Sequence, residues 1–139
     1  MAAPRLFTVD EADRTLPLVR RIADDIVQEY AAFQALLQTF HHHCAGGETD
    51  AGPLRAEIEA AAARINGLVR ELGRIGCALK GFAQGIVDFP STLDGREIWL
   101  CWKAGEERVA WWHERDAGFL ARQPLTEATT AAIRRALRG

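Results

Sequence analysis

The sequence lacks most of the features that assign a function at sight. No apolar run approaches the roughly 18 residues of a membrane-spanning helix. No glycine-rich phosphate loop exists, because Gly81-Phe82-Ala83-Gln84-Gly85 has neither the lysine of a P-loop nor the spacing of a dinucleotide-binding turn. Serine occurs once, as Ser91, outside any G-x-S-x-G context, which leaves nucleophilic hydrolysis with little support. No CxxC or HExxH zinc signature is present. The three cysteines, Cys44, Cys77 and Cys101, are odd in number and widely spaced, which fits reduced thiols rather than a disulfide framework. Seventeen Lys and Arg against 19 Asp and Glu leave a net charge of −2, too little of one sign to hold nucleic acid over the whole surface. Met1 to Arg5 lead into no apolar secretory segment, so a cytoplasmic location is expected.

What is present is an ordinary globular composition, 48% apolar and 26% charged over 139 residues, enough for one domain. Thr8-Val9-Asp10-Glu11 reads as a capping box, with hydroxyl and carboxylate each satisfying a main-chain N–H at a helix start. Pro17, lacking an N–H, is expected to kink that helix or to open a second one. Beyond it Val19, Ile22, Ile26, Tyr30, Phe33, Leu37 and Phe40 form one apolar stripe at helical spacing, which Gly46-Gly47 should stop. Glu48 to Gly52 read as a polar turn, and Pro53 suits the first position of the next helix. There Leu54, Ile58, Ala61, Ile65, Leu68, Leu72 and Ile75 alternate four and three apart, a heptad seam ending at Gly76. Two such helices joined by a short turn predict an antiparallel hairpin over about residues 17–75.

After Gly76 the period changes to that of strands. Ile86 to Phe89 is a short strand that Pro90 is expected to end. Asp94-Gly95 marks a turn, Glu97 to Lys103 a strong strand, and Arg108 to His113 its hairpin partner across Ala104 to Glu107. Alternation sends Ile98, Leu100 and Trp102 to one face and Trp99 and Cys101 to the other. Both faces therefore need cover, the helical hairpin on one and a loop, a ligand or a second subunit on the other. Residues from Thr126 read as an amphipathic helix with Arg134, Arg135 and Arg138 toward its C-terminus. The fold class is thus α+β: a long antiparallel helical hairpin packed on a small antiparallel sheet of about three strands, with a short C-terminal helix. One domain is expected over 1–139, divided into a hairpin (1–76), a β-rich part (77–125) and a helical tail (126–139).

Several segments carry a resemblance. Phe7-Thr8-Val9-Asp10-Glu11-Ala12 followed by Leu16-Pro17-Leu18 is similar to the opening of a small bacterial family, domain of unknown function 2203. More specific are Gly85-Ile86-Val87-Asp88-Phe89-Pro90, Asp94-Gly95-Arg96-Glu97, Leu100-Cys101-Trp102-Lys103, Trp112-His113-Glu114, Gly118-Phe119 and Arg122-Gln123-Pro124-Leu125. The resemblance implies a cytosolic bacterial protein. It supports the fold and brings no activity, substrate or catalytic residue. The tail after Leu125 and the His41-His42-His43 run look like additions to the pattern.

The polar residues with chemistry to offer lie in the β half: Asp88, Glu97, Cys101, His113, Glu114, Asp116 and Arg122, of which all but Glu97 are site candidates. Histidine, cysteine and carboxylates ligate divalent metals, and strand alternation lets Cys101 and His113 share a face that Asp88 approaches from a neighbouring strand. Asp88 and His113 are the candidate metal ligands, and the six together are a candidate ligand-binding set. The bland alternative is a structural hydrogen bond from His113 to Asp88 or Asp116 beside a buried thiol. His41 to His43 point about 100° apart on a helix and do not converge on one ion. Trp99, Trp102, Trp111 and Trp112 suit core and interface better than base stacking, since acidic residues interrupt the nearby basic ones.

Two functions follow. The leading one is a noncatalytic module that self-associates as a homodimer through the helical hairpin, because a two-helix hairpin and a small sheet leave apolar surface over. The alternative is a small-ligand or divalent-metal-binding protein, with an enzymatic role open, whose site lies around Asp88 and His113.

Overall fold

A computed structural model describes residues 5–47 and 51–138. The chain runs α1 (Val9–Ala45), α2 (Gly52–Ile75), β1 (Ala78–Gly81), β2 (Ile86–Leu93), β3 (Arg96–Lys103), β4 (Trp111–Glu114), a 3-10 turn (Phe119–Ala121), β5 (Gln123–Pro124) and α3 (Glu127–Arg138). The five strands form one antiparallel sheet in sequence order. This is the expected α+β architecture, a long helix pair on an antiparallel sheet with a short C-terminal helix. No helix among the described residues is long and apolar enough to cross a membrane.

The capping box starts α1, with the Glu11 amide donating to Thr8 Oγ1 at 3.1 Å and the Thr8 amide to Glu11 Oε1 at 2.9 Å. α1 runs on through Pro17, so no second helix opens there, a correction to that expectation. A proline inside a helix costs about 3 kcal/mol. Ala12, Leu16, Val19, Ile22, Ala23 and Ile26 are buried on both sides of it, and their shared packing outweighs that penalty. The hairpin thus begins at Val9 rather than near residue 17. The polar turn expected from Glu48 to Gly52 lies mostly outside the described residues, and Gly52 already belongs to α2. Gly76 ends α2 with φ 110°, a conformation open to glycine, and its amide caps the Leu72 and Gly73 carbonyls.

In the sheet, Asp94 (φ 51°) and Gly95 (φ 78°) make the tight β2–β3 turn that their pairing in the sequence suggested. β2 continues through Pro90 to Leu93, a correction to the expected stop. The physical reason is local. A strand residue's N–H and C=O point to the same side, and the Pro90 carbonyl accepts from the Phe7 amide at 2.8 Å. The missing N–H therefore faces the side where β1 has already ended, and no ladder bond to β3 is lost. β4 starts at Trp111, three residues later than expected, while β1 and β5 add edge strands to the three foreseen.

One face of the sheet makes the core. Val87, Phe89 and Leu93 of β2, Ile98, Leu100 and Trp102 of β3, and Trp112 of β4 pack with the buried stripe of α1, with Leu72 of α2 and with Ile133 of α3. The residues between them, Asp88, Trp99, Cys101, Trp111 and His113, face the other way. That outer face carries the polar chemistry of the chain.

Candidate metal centre

Asp88, Cys101 and His113 come together there because three adjacent strands deliver them. Asp88 stands opposite Cys101 in the β2–β3 ladder, and Cys101 and His113 alternate onto the same face of β3 and β4. One ligand-type atom from each lies within 4.8 Å of the others. All three are buried, at 1%, 0% and 2% exposure. Cover comes from the loop between β4 and β5, where the Arg122 guanidinium is stacked between Trp111, 4.5 Å from its ring centre, and Phe119, at 4.2 Å.

The hydrogen-bond partners of His113 select its tautomer. Nδ1 lies 2.9 Å from the Glu114 main-chain oxygen, which only accepts, so Nδ1 carries a proton and donates it. Nε2 lies 2.8 Å from Asp88 Oδ2. A neutral imidazole already protonated on Nδ1 presents a lone pair at Nε2, and a carboxylate presents another. Two acceptors at this distance need a cation between them, and in the pair as it stands that cation is a shared proton. Asp88 Oδ1 is buried and has no partner at hydrogen-bonding geometry among the described residues. Burial pushes the Asp88 carboxyl above its ordinary value, opposed by the charge of His113 and by Cys101 and Lys80. Desolvation, and then the nearby Asp88 charge, push the Cys101 thiol up to about 12.

Of the six residues singled out in the sequence, the fold gathers Asp88, Cys101 and His113 and sets Arg122 beside them, its Nη1 3.9 Å from Cys101 Sγ. Glu114 is not part of the cluster. Alternation turns it away from His113, and it forms a two-pronged pair with Arg96 at 2.8 Å on the rim. Asp116 lies exposed in the turn after β4. Glu106 was not foreseen. It accepts from Arg122 at 2.6 and 3.1 Å and from the Lys103 amide at 2.9 Å, so it fixes the turn and the guanidinium together. No local pattern marked it, because its partner lies sixteen residues away.

Cavities open elsewhere. One of about 570 Å³ lies between α1 and α2 against Asp25, Glu29, Arg64 and Arg70, and one of about 610 Å³ lies between Asp13, Arg108 and Arg134. A smaller one of about 150 Å³ reaches Pro90 and Trp99, strand neighbours of the cluster, but not the cluster itself. The family model described as an uncharacterized conserved protein (DUF2203) matches residues 5–125, which takes in the helix pair and every strand. No curated protein and no solved structure matches the chain. On the extent of that match, the chain belongs to the DUF2203 family.

Proposed function

We propose that the protein binds a divalent cation on the outer face of its sheet, with Asp88 and His113 as ligands. The observation that carries this reading is the 2.8 Å approach of His113 Nε2 to Asp88 Oδ2 while Nδ1 is committed to a carbonyl. The pair is built to hold a cation, and a metal ion replaces the shared proton. The Nδ1–H donated to the Glu114 carbonyl is the support that orients a metal-bound imidazole. A small organic ligand is less well supported, because the cluster lines none of the cavities described above. The test is equilibrium dialysis of the full chain, with His41, His42 and His43 replaced by alanine, against zinc, manganese and magnesium in turn. The expected result is a single bound ion per chain, lost in Asp88→Asn and in His113→Ala with the far-ultraviolet spectrum unchanged. Failure of all three metals to bind, or equal binding by the variants, contradicts the reading.

A second reading, self-association through the hairpin, has a separate observation in its favour. The buried residues of α1 end at Ile26, and those of α2 begin at Ala61. Past them, Tyr30, Phe33, Leu36, Leu37 and Phe40 on one helix and Leu54 and Ile58 on the other are only half-buried. From Tyr30 to Phe40 no residue is charged. An uncharged helix surface with exposed Ala31, Ala32 and Ala35 suits close packing against a second copy, two hairpins making a four-helix bundle. Sedimentation at tens of micromolar is expected to report a dimer, which Leu37→Glu converts to a monomer. A monomeric parent protein contradicts this reading.

A further inference from the structure

We infer that Cys101 completes the metal centre as a thiolate ligand, and that the ion it selects is a thiophilic divalent cation of the zinc class. The inference rests on the reading of Asp88 and His113 as ligands, and it goes further by naming the third ligand and the kind of ion.

Charge balance is the first argument. A carboxylate, a thiolate and a neutral imidazole carry two negative charges between them, the match for a divalent ion. A divalent ion held by the Asp88 carboxylate and a neutral His113 alone would leave one uncompensated positive charge at a site of 2% exposure or less. With Cys101 as thiolate, the sum of ion, carboxylate, thiolate and imidazole returns to zero. In that exchange the metal–sulfur bond forms as the S–H bond breaks, and both displaced protons pass to the buffer. No oxidation is involved. Arg122 does not upset this balance, because its charge is matched by the two-pronged contact with Glu106.

Placement is the second. Cys101 is the direct cross-strand neighbour of Asp88, and its sulfur lies within the 4.8 Å that encloses the other two ligand atoms. Asp88 Oδ1, buried and without a partner at hydrogen-bonding geometry among the described residues, is a further donor atom in the same place.

The donor set is the third. Calcium takes about 6–8 oxygens and magnesium a near-ideal octahedron of them, whereas this cluster offers one carboxylate. One sulfur, one ring nitrogen and one carboxylate oxygen are the donors of tetrahedral zinc, and thiolate is the softest of them.

Cobalt(II) distinguishes the outcomes, since thiolate bound to it gives a near-ultraviolet charge-transfer band that oxygen and nitrogen ligands do not. The protein is the full chain with His41, His42 and His43 replaced by alanine, compared with Cys101→Ser and Cys101→Ala on that background. The expected result is the band in the parent and its loss in both variants. Their zinc affinity should fall by more than the roughly 10–100-fold typical of outer-shell partners. Cys101→Ala asks no hydrogen bond of its neighbours, so it covers the case in which the serine variant fails to fold. Cobalt bound without the band, affinity unchanged in the variants, or a preference for magnesium overturns the inference while leaving Asp88 and His113 as ligands. No binding of any ion by the parent overturns both.

Discussion

Replacing His113 by leucine is expected to destabilise the fold by about 3–5 kcal/mol, because it strands a buried carboxylate. Asp88 is 1% exposed, its Oδ2 has His113 as partner, and its Oδ1 has none at hydrogen-bonding geometry among the described residues. Without the imidazole the buried carboxylate keeps only its contact with the Cys101 thiol. The carboxyl is already pushed above its ordinary value of 3.8 by burial, with His113 the first of the influences that hold it down. Losing that influence raises it further. A group whose folded pKa exceeds its unfolded one contributes stability that is complete below the unfolded value and is lost as pH rises through the folded value. The damage in His113→Leu should therefore be small in acid and largest above neutrality. The double variant Asp88→Leu with His113→Leu should recover much of the loss, since removing both partners removes the stranded charge. Urea midpoints measured across that pH range check the order. Equal losses in the single and double variants would mean that the pair is not a coupled buried unit.

Truncation after Leu125 is the second large effect. α3 lies beyond the family match, yet Ile133 is wholly buried in the core, with Ala132 and Leu137 packed against it. Arg134 pairs with Asp10 at 3.0 Å across the start of α1. Losing one buried isoleucine side chain typically costs about 2–5 kcal/mol, and removing the helix also uncovers part of the β2 face. Against a total stability of about 5–15 kcal/mol, the truncated chain should lose most of its cooperative unfolding transition, while Ile133→Ala should keep a weakened one. A truncated chain that melts with the parent's midpoint would make α3 an ornament.

That helix marks one limit of what the sequence discloses. Its amphipathic period is plain, but the pattern shared with the family ends at Leu125, so the helix read as an addition although it closes the core. Long periodic elements were legible because each repeats its signal many times. Both hairpin helices and β3 are of this kind. β1 and β5 were not, since four and two residues carry too little alternation and owe their pairing to β2 and β4. Pro17 and Pro90 each remove a donor, but α1 is held by packing, and on the side where the Pro90 N–H is missing no strand pairs with β2. In the site, alternation sufficed to put Cys101 and His113 on one face and Asp88 beside them. The same rule turns Glu114, which follows His113, to the opposite face, although it stands among the six candidates. Glu106 stayed hidden because a turn residue acquires its role from the guanidinium that the fold brings to it.

The central claim is that Asp88 and His113 hold a metal ion in place of their shared proton. Diffraction from crystals of the full chain grown with zinc, with anomalous differences measured at the zinc edge, tests it most directly. The account predicts a strong peak between the two side chains, about 2.0–2.2 Å from His113 Nε2 and from a carboxylate oxygen of Asp88. No peak there, with Nε2 and Oδ2 still in direct contact and zinc seen only at His41 to His43, would contradict it.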